Sequence, residues 1–211
     1  SNPAHKSVFE PLPLADDKRV RYLGQRDEVE DIRDEAGNKI GERQRFINAL
    51  PSMPLQIQTI VGLAMNTGCR RGELFNLTWD NISLKNKTLT VTGMVAKSKK
   101  KRVIPLNSKA MELLKTWRKG NVTHISGLVF PSDITGKPLV GIKRQWANLM
   151  KAANVTGFRF HDLRHDFASR LVMKGVSLYE VKDLLGHSSI TMTERYAHLA
   201  DEQLRNAVEV L

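Results

Sequence analysis

From residue 55 onward the chain alternates between helical and extended blocks. Ile57, Ile60, Val61 and Ala64 recur at i, i+3, i+4 and i+7, the spacing of one buried helix face. That helix should end near Thr67-Gly68, and a second, short one should follow from Arg71 to Leu77. The period then changes. Within residues 81–106, Leu89 and Val91 alternate with Thr88, Thr90 and Thr92, and Arg102-Val103-Ile104-Pro105-Leu106 is a second extended run. Between them lies Lys97-Ser98-Lys99-Lys100-Lys101, which predicts a short sheet with a basic turn. Helical spacing returns in three stripes: Ala110, Leu113, Leu114 and Trp117 behind the cap candidates Asn107 and Ser108; Ile142, Trp146, Leu149 and Ala153; and Leu163, Phe167 and Leu171. Ser177 and Glu180 have capping-box spacing ahead of Val181, Leu184 and Leu185, and a last helix is expected over residues 200–210. The predicted fold class is mainly α with a small antiparallel β-sheet (α+β), the sheet sitting in the first half.

The N-terminal part is patterned differently. Residues 1–20, rich in Pro and charge, read as a linker or tail, and residues 21–211 as one domain, which suits a chain of 211 residues. Residues 27–45 are dense in charge, with Gly37-Asn38 as a turn signal, and predict a solvated helix followed by a loop.

Composition narrows the function classes. Hydrophobic residues make up 41%, enough for a real core. No run approaches the roughly 18 to 20 apolar residues of a membrane span, and the N-terminus does not read as a signal peptide. A cytoplasmic protein with no membrane partner is expected. The single cysteine, Cys69, excludes an internal disulfide and a multi-thiolate metal site. Thirty-three Lys and Arg against twenty-two Asp and Glu give a net charge of +11. A polyanion, and nucleic acid first among them, is the partner such a balance favours over a merely solvated basic surface.

Four stretches could carry chemistry. In Lys97 to Arg102, five of six residues are basic; Lys97, Lys99, Lys100, Lys101 and Arg102 could meet phosphates from a hairpin tip, or simply be solvated. His161 and Arg164 stand three apart on a predicted helix, where an imidazole and a guanidinium can bind a phosphate and move a proton beside it. His161 and His165 also have the i, i+4 spacing of metal ligands, but the glutamate of a zinc-hydrolase motif is missing. In Leu184-Leu185-Gly186-His187-Ser188-Ser189, Gly186 should end one helix and Ser188 or Ser189 cap the next, placing His187 at the junction, with Tyr196 nine residues on. Finally, Thr67-Gly68-Cys69-Arg70-Arg71-Gly72-Glu73 turns into a helix that can aim Arg70 inward, held by a bidentate pair with Glu73. Each stretch alone also has a plain reading as solvated surface or packing.

In order and spacing, T67-G-C-R70-R-G-E73-L, K97-S-K-K-K-R102-V-I-P-L, H161-D-L-R164-H and L-G186-H187 with Y196 at plus nine resemble the tyrosine recombinases, the phage-integrase family, over residues 55–200. The resemblance implies the catalytic fold of DNA breaking-rejoining enzymes. It implies that Arg70 and Arg164 clamp a scissile phosphate, Tyr196 attacks it, Lys97 protonates the leaving 5′-oxygen, His161 is the acid/base near Tyr196, and His187 hydrogen-bonds the phosphate. Glu73 and His165 would support these groups, and Arg71, Lys99, Lys100, Lys101 and Arg102 would bind DNA. It implies neither metal nor other cofactor nor ATP. It further implies double-stranded DNA carrying recombination sites as partner, a monomer in solution with a homo-tetramer on paired sites, and excision or DNA-bending accessory proteins. On this resemblance, the family's N-terminal DNA-binding domain is expected to be absent from this chain. Two other readings are a type IB topoisomerase-like enzyme and a DNA-binding protein that does no catalysis.

Overall fold

The computed structural model describes residues 20–27, 31–34, 36–92, 101–120 and 127–200. Helix α1 (Glu42–Ala49) is followed by α2 (Leu55–Thr67) and the short α3 (Arg71–Phe75). Three strands come next, β1 (Ile82–Ser83), β2 (Thr88–Val91) and β3 (Arg102–Pro105). The chain closes with α4 (Ser108–Gly120), α5 (Lys143–Ala152), α6 (Asp162–Met173), α7 (Leu178–Leu185), the single turn α8 (Thr191–Glu194) and a 3-10 turn at Ala197–Ala200. None of the described helices is long and apolar enough to cross a membrane.

Helix α2 is the hub. Ile57, Ile60, Val61, Leu63 and Ala64 are all buried, with α4 packed on one side and α6 on another. Gly62 lets α4 come close, because a Cβ there would collide with Leu113. Gly68 ends α2 in the left-handed conformation, φ +63°, where a residue without a Cβ meets no steric penalty. The expected caps hold for two other helices. Asn107 Oδ1 accepts the Ala110 N–H at 2.9 Å, and Ser177 and Glu180 form a reciprocal capping box at the start of α7.

The sheet is antiparallel in the order β1-β2-β3, with Leu89 opposite Ile104 and Val91 opposite Arg102. Its period of two sends Leu89, Val91 and Ile104 into the core, and it sends Arg102 inward with them.

The N-terminal charge-rich stretch departs from its expected form. Its described residues form no helix before Glu42. Arg33 and Lys39 instead bridge across a turn at Gly37, φ +83°, and α1 begins where the Asp27 carboxylate accepts the Glu42 N–H at 2.6 Å. Nor are all these charges solvated. Glu42 is fully buried, forked by Arg21 and bonded by the Gly24 N–H, and Arg45 is buried against the Ile40 and Asn154 carbonyls. Burying a carboxylate is tolerable here because each oxygen finds a donor. The helix expected over 200–210 lies almost wholly outside the described residues.

Beneath α6 lies a second apolar cluster, Ala168, Val172, Val181, Leu185 and Tyr196, with Val20, Phe167 and Leu199 against it. Helix α6 is therefore enclosed on both sides, by α2 and by this cluster. That explains why Arg164, His165, Asp166 and Ser169 are buried on a helix whose apolar stripe alone (Leu163, Phe167, Leu171) marks only one side.

Candidate active site

Arg164 sits in the first turn of α6, only 4% exposed. It donates through Nη1 to the Gly68 carbonyl at 2.8 Å and through Nη2 to the Leu185 carbonyl at 2.7 Å. These bonds tie the end of α2 and the end of α7 to α6. Among the described residues no carboxylate pairs with this guanidinium. Burial and the nearby Arg70 cation push its pKa down to about 9. A cation held this way, with neutral carbonyls for partners, is suited to receive an anion.

Arg70 is the N-cap residue of α3, and its side chain is 23% exposed. Glu73 holds it twice: Oε2 accepts the Arg70 backbone N–H at 2.7 Å, and Oε1 accepts Nη1 at 3.1 Å. The expected two-pronged grip of Glu73 on Arg70 is thus a single side-chain bond. The two-pronged pair forms instead with Arg102, Nη1 to Oε1 at 2.9 Å and Nη2 to Oε2 at 2.7 Å, while Arg102 Nε donates to the Leu184 carbonyl at 3.1 Å. The expectation that Arg102 contacts DNA from the hairpin is therefore corrected. Its guanidinium is buried and spent within the protein. The signal for this was present in the sequence, since Arg102 alternates in phase with Ile104 and Leu106. These bonds, chiefly from Arg102, hold the buried Glu73 carboxyl below its usual range.

His161, the N-cap residue of α6, stays exposed. Partial burial, then the Arg164 cation, lowers its pKa. His187 follows the left-handed Gly186, φ +65°, at the end of α7. Its Nδ1 pairs with Thr193 Oγ1 at 2.8 Å, leaving Nε2 for a ligand. Burial and the cations of Arg164, Arg70 and Arg195 push it down to about 3, so it is neutral at ordinary pH. Neither Ser188 nor Ser189 caps the next helix: Ile190 occupies that position without a side-chain cap.

Tyr196 is 1% exposed. Its hydroxyl meets Nδ1 of His165 at 2.7 Å, and among the described residues it has no other hydrogen-bond partner. The imidazole on the phenol is thus His165, where His161 was expected. The His161 ring stands edge-on to His165 at 5.3 Å. The i, i+4 pair therefore has one ring nitrogen committed to a phenol. Burial raises Tyr196 to about 12, although Arg164 and Arg195 pull the other way. Cys69 is buried and raised to about 11, mainly by that burial, which makes it a packing residue.

Arg70, His161, Arg164, His187 and Tyr196 thus converge from the start of α3, the start of α6, the end of α7 and the segment after α8. Each of the four cationic or imidazole groups lies in the electrostatic reach of at least one other. A cleft of about 450 Å³ opens beside them, lined by Arg70, Arg71, Gly72, Arg159, Phe160 and His161. Arg71, expected to bind DNA, lines this cleft. Two further arginines lie at the site. Arg159 faces the cleft, and Arg195 lies in the field of His161, His187 and Tyr196, its buried Nε without a partner among the described residues. Neither belongs to a recognisable spacing pattern. Lys101 lines a separate groove of about 640 Å³ that reaches His187. Lys97, Lys99 and Lys100 lie outside the described residues.

The phage integrase family profile matches residues 39–203. The chain is 35% identical over 209 residues to the integrase of Salmonella phage P22, covering 94% of this chain and 49% of that protein. It therefore spans about half the length of that relative. Among solved structures, the XerA recombinase superposes with a TM-score of 0.66 at 27% identity, over 79% of this chain and 60% of that one. The catalytic domain of bacteriophage HP1 integrase superposes at 0.59 and 26% identity, over 80% of this chain and 90% of that one.

Proposed function

The chain belongs to the phage integrase family, and from that premise we propose that it is the catalytic part of a site-specific DNA recombinase that integrates or excises a mobile element such as a prophage. The observation that carries the reading is Arg164. A buried guanidinium whose hydrogen-bond partners among the described residues are carbonyls, beside Arg70 and the Tyr196 phenol, is what a phosphodiester would complete.

In this reading the substrate is double-stranded DNA. Arg70 and Arg164 take the non-bridging oxygens of the scissile phosphate and stabilise the extra charge of its five-coordinate transition state. His187, neutral and held at Nδ1 by Thr193, donates from Nε2 to the same phosphate, so its role needs no protonation change. The Tyr196 oxygen bonds to phosphorus, and the bond to the 5′-oxygen breaks. Lys97 gives that oxygen its proton. A 5′-hydroxyl from a second strand later reverses the step at the phosphotyrosine. The bond energy is held in the 3′-phosphotyrosyl link, so the cycle needs no ATP. A tetramer on two paired sites, in the cytoplasm, is the working assembly.

The test uses suicide DNA substrates nicked near a candidate crossover, incubated with the protein in EDTA. A denaturation-resistant adduct, mapped by mass spectrometry to Tyr196, is expected. DNA binding without any adduct would favour a non-catalytic DNA-binding protein. Sequence-independent relaxation of supercoils would favour a topoisomerase.

A further inference from the structure

We propose that His165 is the proton acceptor for Tyr196: as Oη bonds to phosphorus, the phenolic proton passes to Nδ1 of His165, and it returns to Oη when the phosphotyrosine is resolved. This deepens the reading above and rests on it.

His165 and Tyr196 come from segments 31 residues apart, yet Nδ1 and Oη stand 2.7 Å apart in a nearly closed setting. That is direct transfer distance, with no water needed between them. The contact is also held from both sides. His165 rides on α6, whose first turn is tied by Arg164 to two carbonyls, and the Tyr196 ring packs into the cluster formed by Ala168, Val172, Val181 and Leu185. Neither ring is on a free tether.

Chemistry supplies the need. Burial holds the phenol near 12, so almost no phenolate exists at neutral pH. The proton must therefore leave during the attack, to a group already in reach. Among the described residues, the charged and titratable groups around the pair include His161, Asp162, Arg164, Asp166, His187, Arg70 and Arg195; the Asp162 carboxylate accepts the Arg159 N–H at 2.7 Å. The arginines are cations and cannot accept. His187 has Nδ1 on Thr193, and the His161 ring lies edge-on to the His165 ring. Asp166 directs its oxygens elsewhere, to the Leu23 N–H at 3.1 Å and Arg43 Nη1 at 2.5 Å. His165 alone among them touches Oη. The proton ledger closes without a co-reactant: Oη loses one proton to His165, and the leaving 5′-oxygen gains one from Lys97.

The experiment measures the single-turnover rate of adduct formation against pH for the wild type, His165→Asn and His161→Asn. Asparagine places an amide nitrogen near the Nδ1 position, so it can keep the bond to Oη but cannot take up a proton. In the wild type the rate should rise with pH and level off once the acceptor is deprotonated. His165→Asn should be slower by about 10²-fold or more and lose that inflection, while His161→Asn should retain it. A second measurement separates chemistry from folding: fluorinated tyrosine at position 196, whose phenol is more acidic, should restore much of the lost rate to His165→Asn. A wild-type pH profile in His165→Asn would overturn the proposal. So would faster adduct formation in that variant, which would make the contact a restraint on the phenol, and so would loss of the inflection in His161→Asn alone. If His165→Asn does not fold, the decisive signal is the effect of the fluorinated tyrosine in wild-type protein. The inflection should persist if His165 titrates, whereas an inflection that moves with the phenol would overturn the proposal. No wild-type adduct at Tyr196 on any substrate would overturn the recombinase reading itself, an outcome distinct from all of these.

Discussion

Arg102 and Glu73, 29 residues apart in the chain, form a buried two-pronged ion pair with bonds of 2.9 and 2.7 Å. Glu73 is also the residue that holds Arg70. The pair therefore joins the sheet to the helix start that presents a phosphate-binding guanidinium. Each carboxylate oxygen carries more than one donor, which is the condition under which a buried pair is not a liability.

Removing one partner should expose that dependence. Glu73→Ala should cost about 3–5 kcal/mol, the usual penalty for leaving a buried cation unpaired, and urea denaturation measures it. Arg102→Ala should also destabilise, yet leave the salt dependence of DNA binding unchanged. Lys101→Ala should do the reverse, lowering the slope of log affinity against log salt by about 0.9 if its ammonium meets a phosphate.

Arg164→Lys should keep a positive charge but lose the fork that reaches both the Gly68 and Leu185 carbonyls. Adduct formation should fall by about 10²–10³-fold, the range seen when a preorganised donor to a developing anion is removed. Inorganic phosphate or sulfate should raise the Tm of the wild type, and raise it less in Arg164→Ala. Equal gains in both would remove Arg164 from the anion site.

Tyr196→Phe should form no adduct and still bind DNA. It should also lose about 1–3 kcal/mol of stability, because the His165 nitrogen is left buried without its phenol. A gel-shift titration and a thermal melt read the two effects separately.

Acid should weaken the fold before it reaches the carboxylates. His187 is pushed from 6.5 to about 3, and His161 is lowered as well. Below about 6.5 the unfolded chain takes up protons that these folded residues refuse. Stability should therefore fall with pH from about 6.5 toward 3, and Glu73, also lowered, adds loss in the same direction at the acid end. Asp166, raised by its burial, works in the opposite direction near its own range. Denaturation midpoints across that window should move less in a His187→Asn variant.

Two glycines hold the site's geometry. A Cβ at Gly68 would stand 2.5 Å from Phe167 Cδ1 and 2.7 Å from Leu185 Cδ2, and one at Gly186 would stand 2.8 Å from Arg102 Cδ. Both positions have positive φ. Gly68→Ala should cost about 2–4 kcal/mol from strain and overpacking together, and should slow adduct formation further by moving the carbonyl that holds Arg164.

The features that neighbouring residues encode are local and periodic. The face of α2, the alternation of β2, the capping box of α7 and the glycine ends of α2 and α7 are written in neighbouring residues, and all appear where those residues place them. So are the motifs around Arg70, His161, Arg164, His187 and Tyr196, because a motif is a short-range record of backbone and side-chain type. The tertiary structure decided which groups touch. Arg102 and Glu73, His165 and Tyr196, Arg21 and Glu42 meet across 21 to 31 residues, and no local spacing encodes those meetings. The polar burial on α6 was decided in the same way, by α2 on one side and the Tyr196 cluster on the other. A histidine on a helix is read from sequence as a face; only the packing of distant segments says which imidazole lies against the phenol.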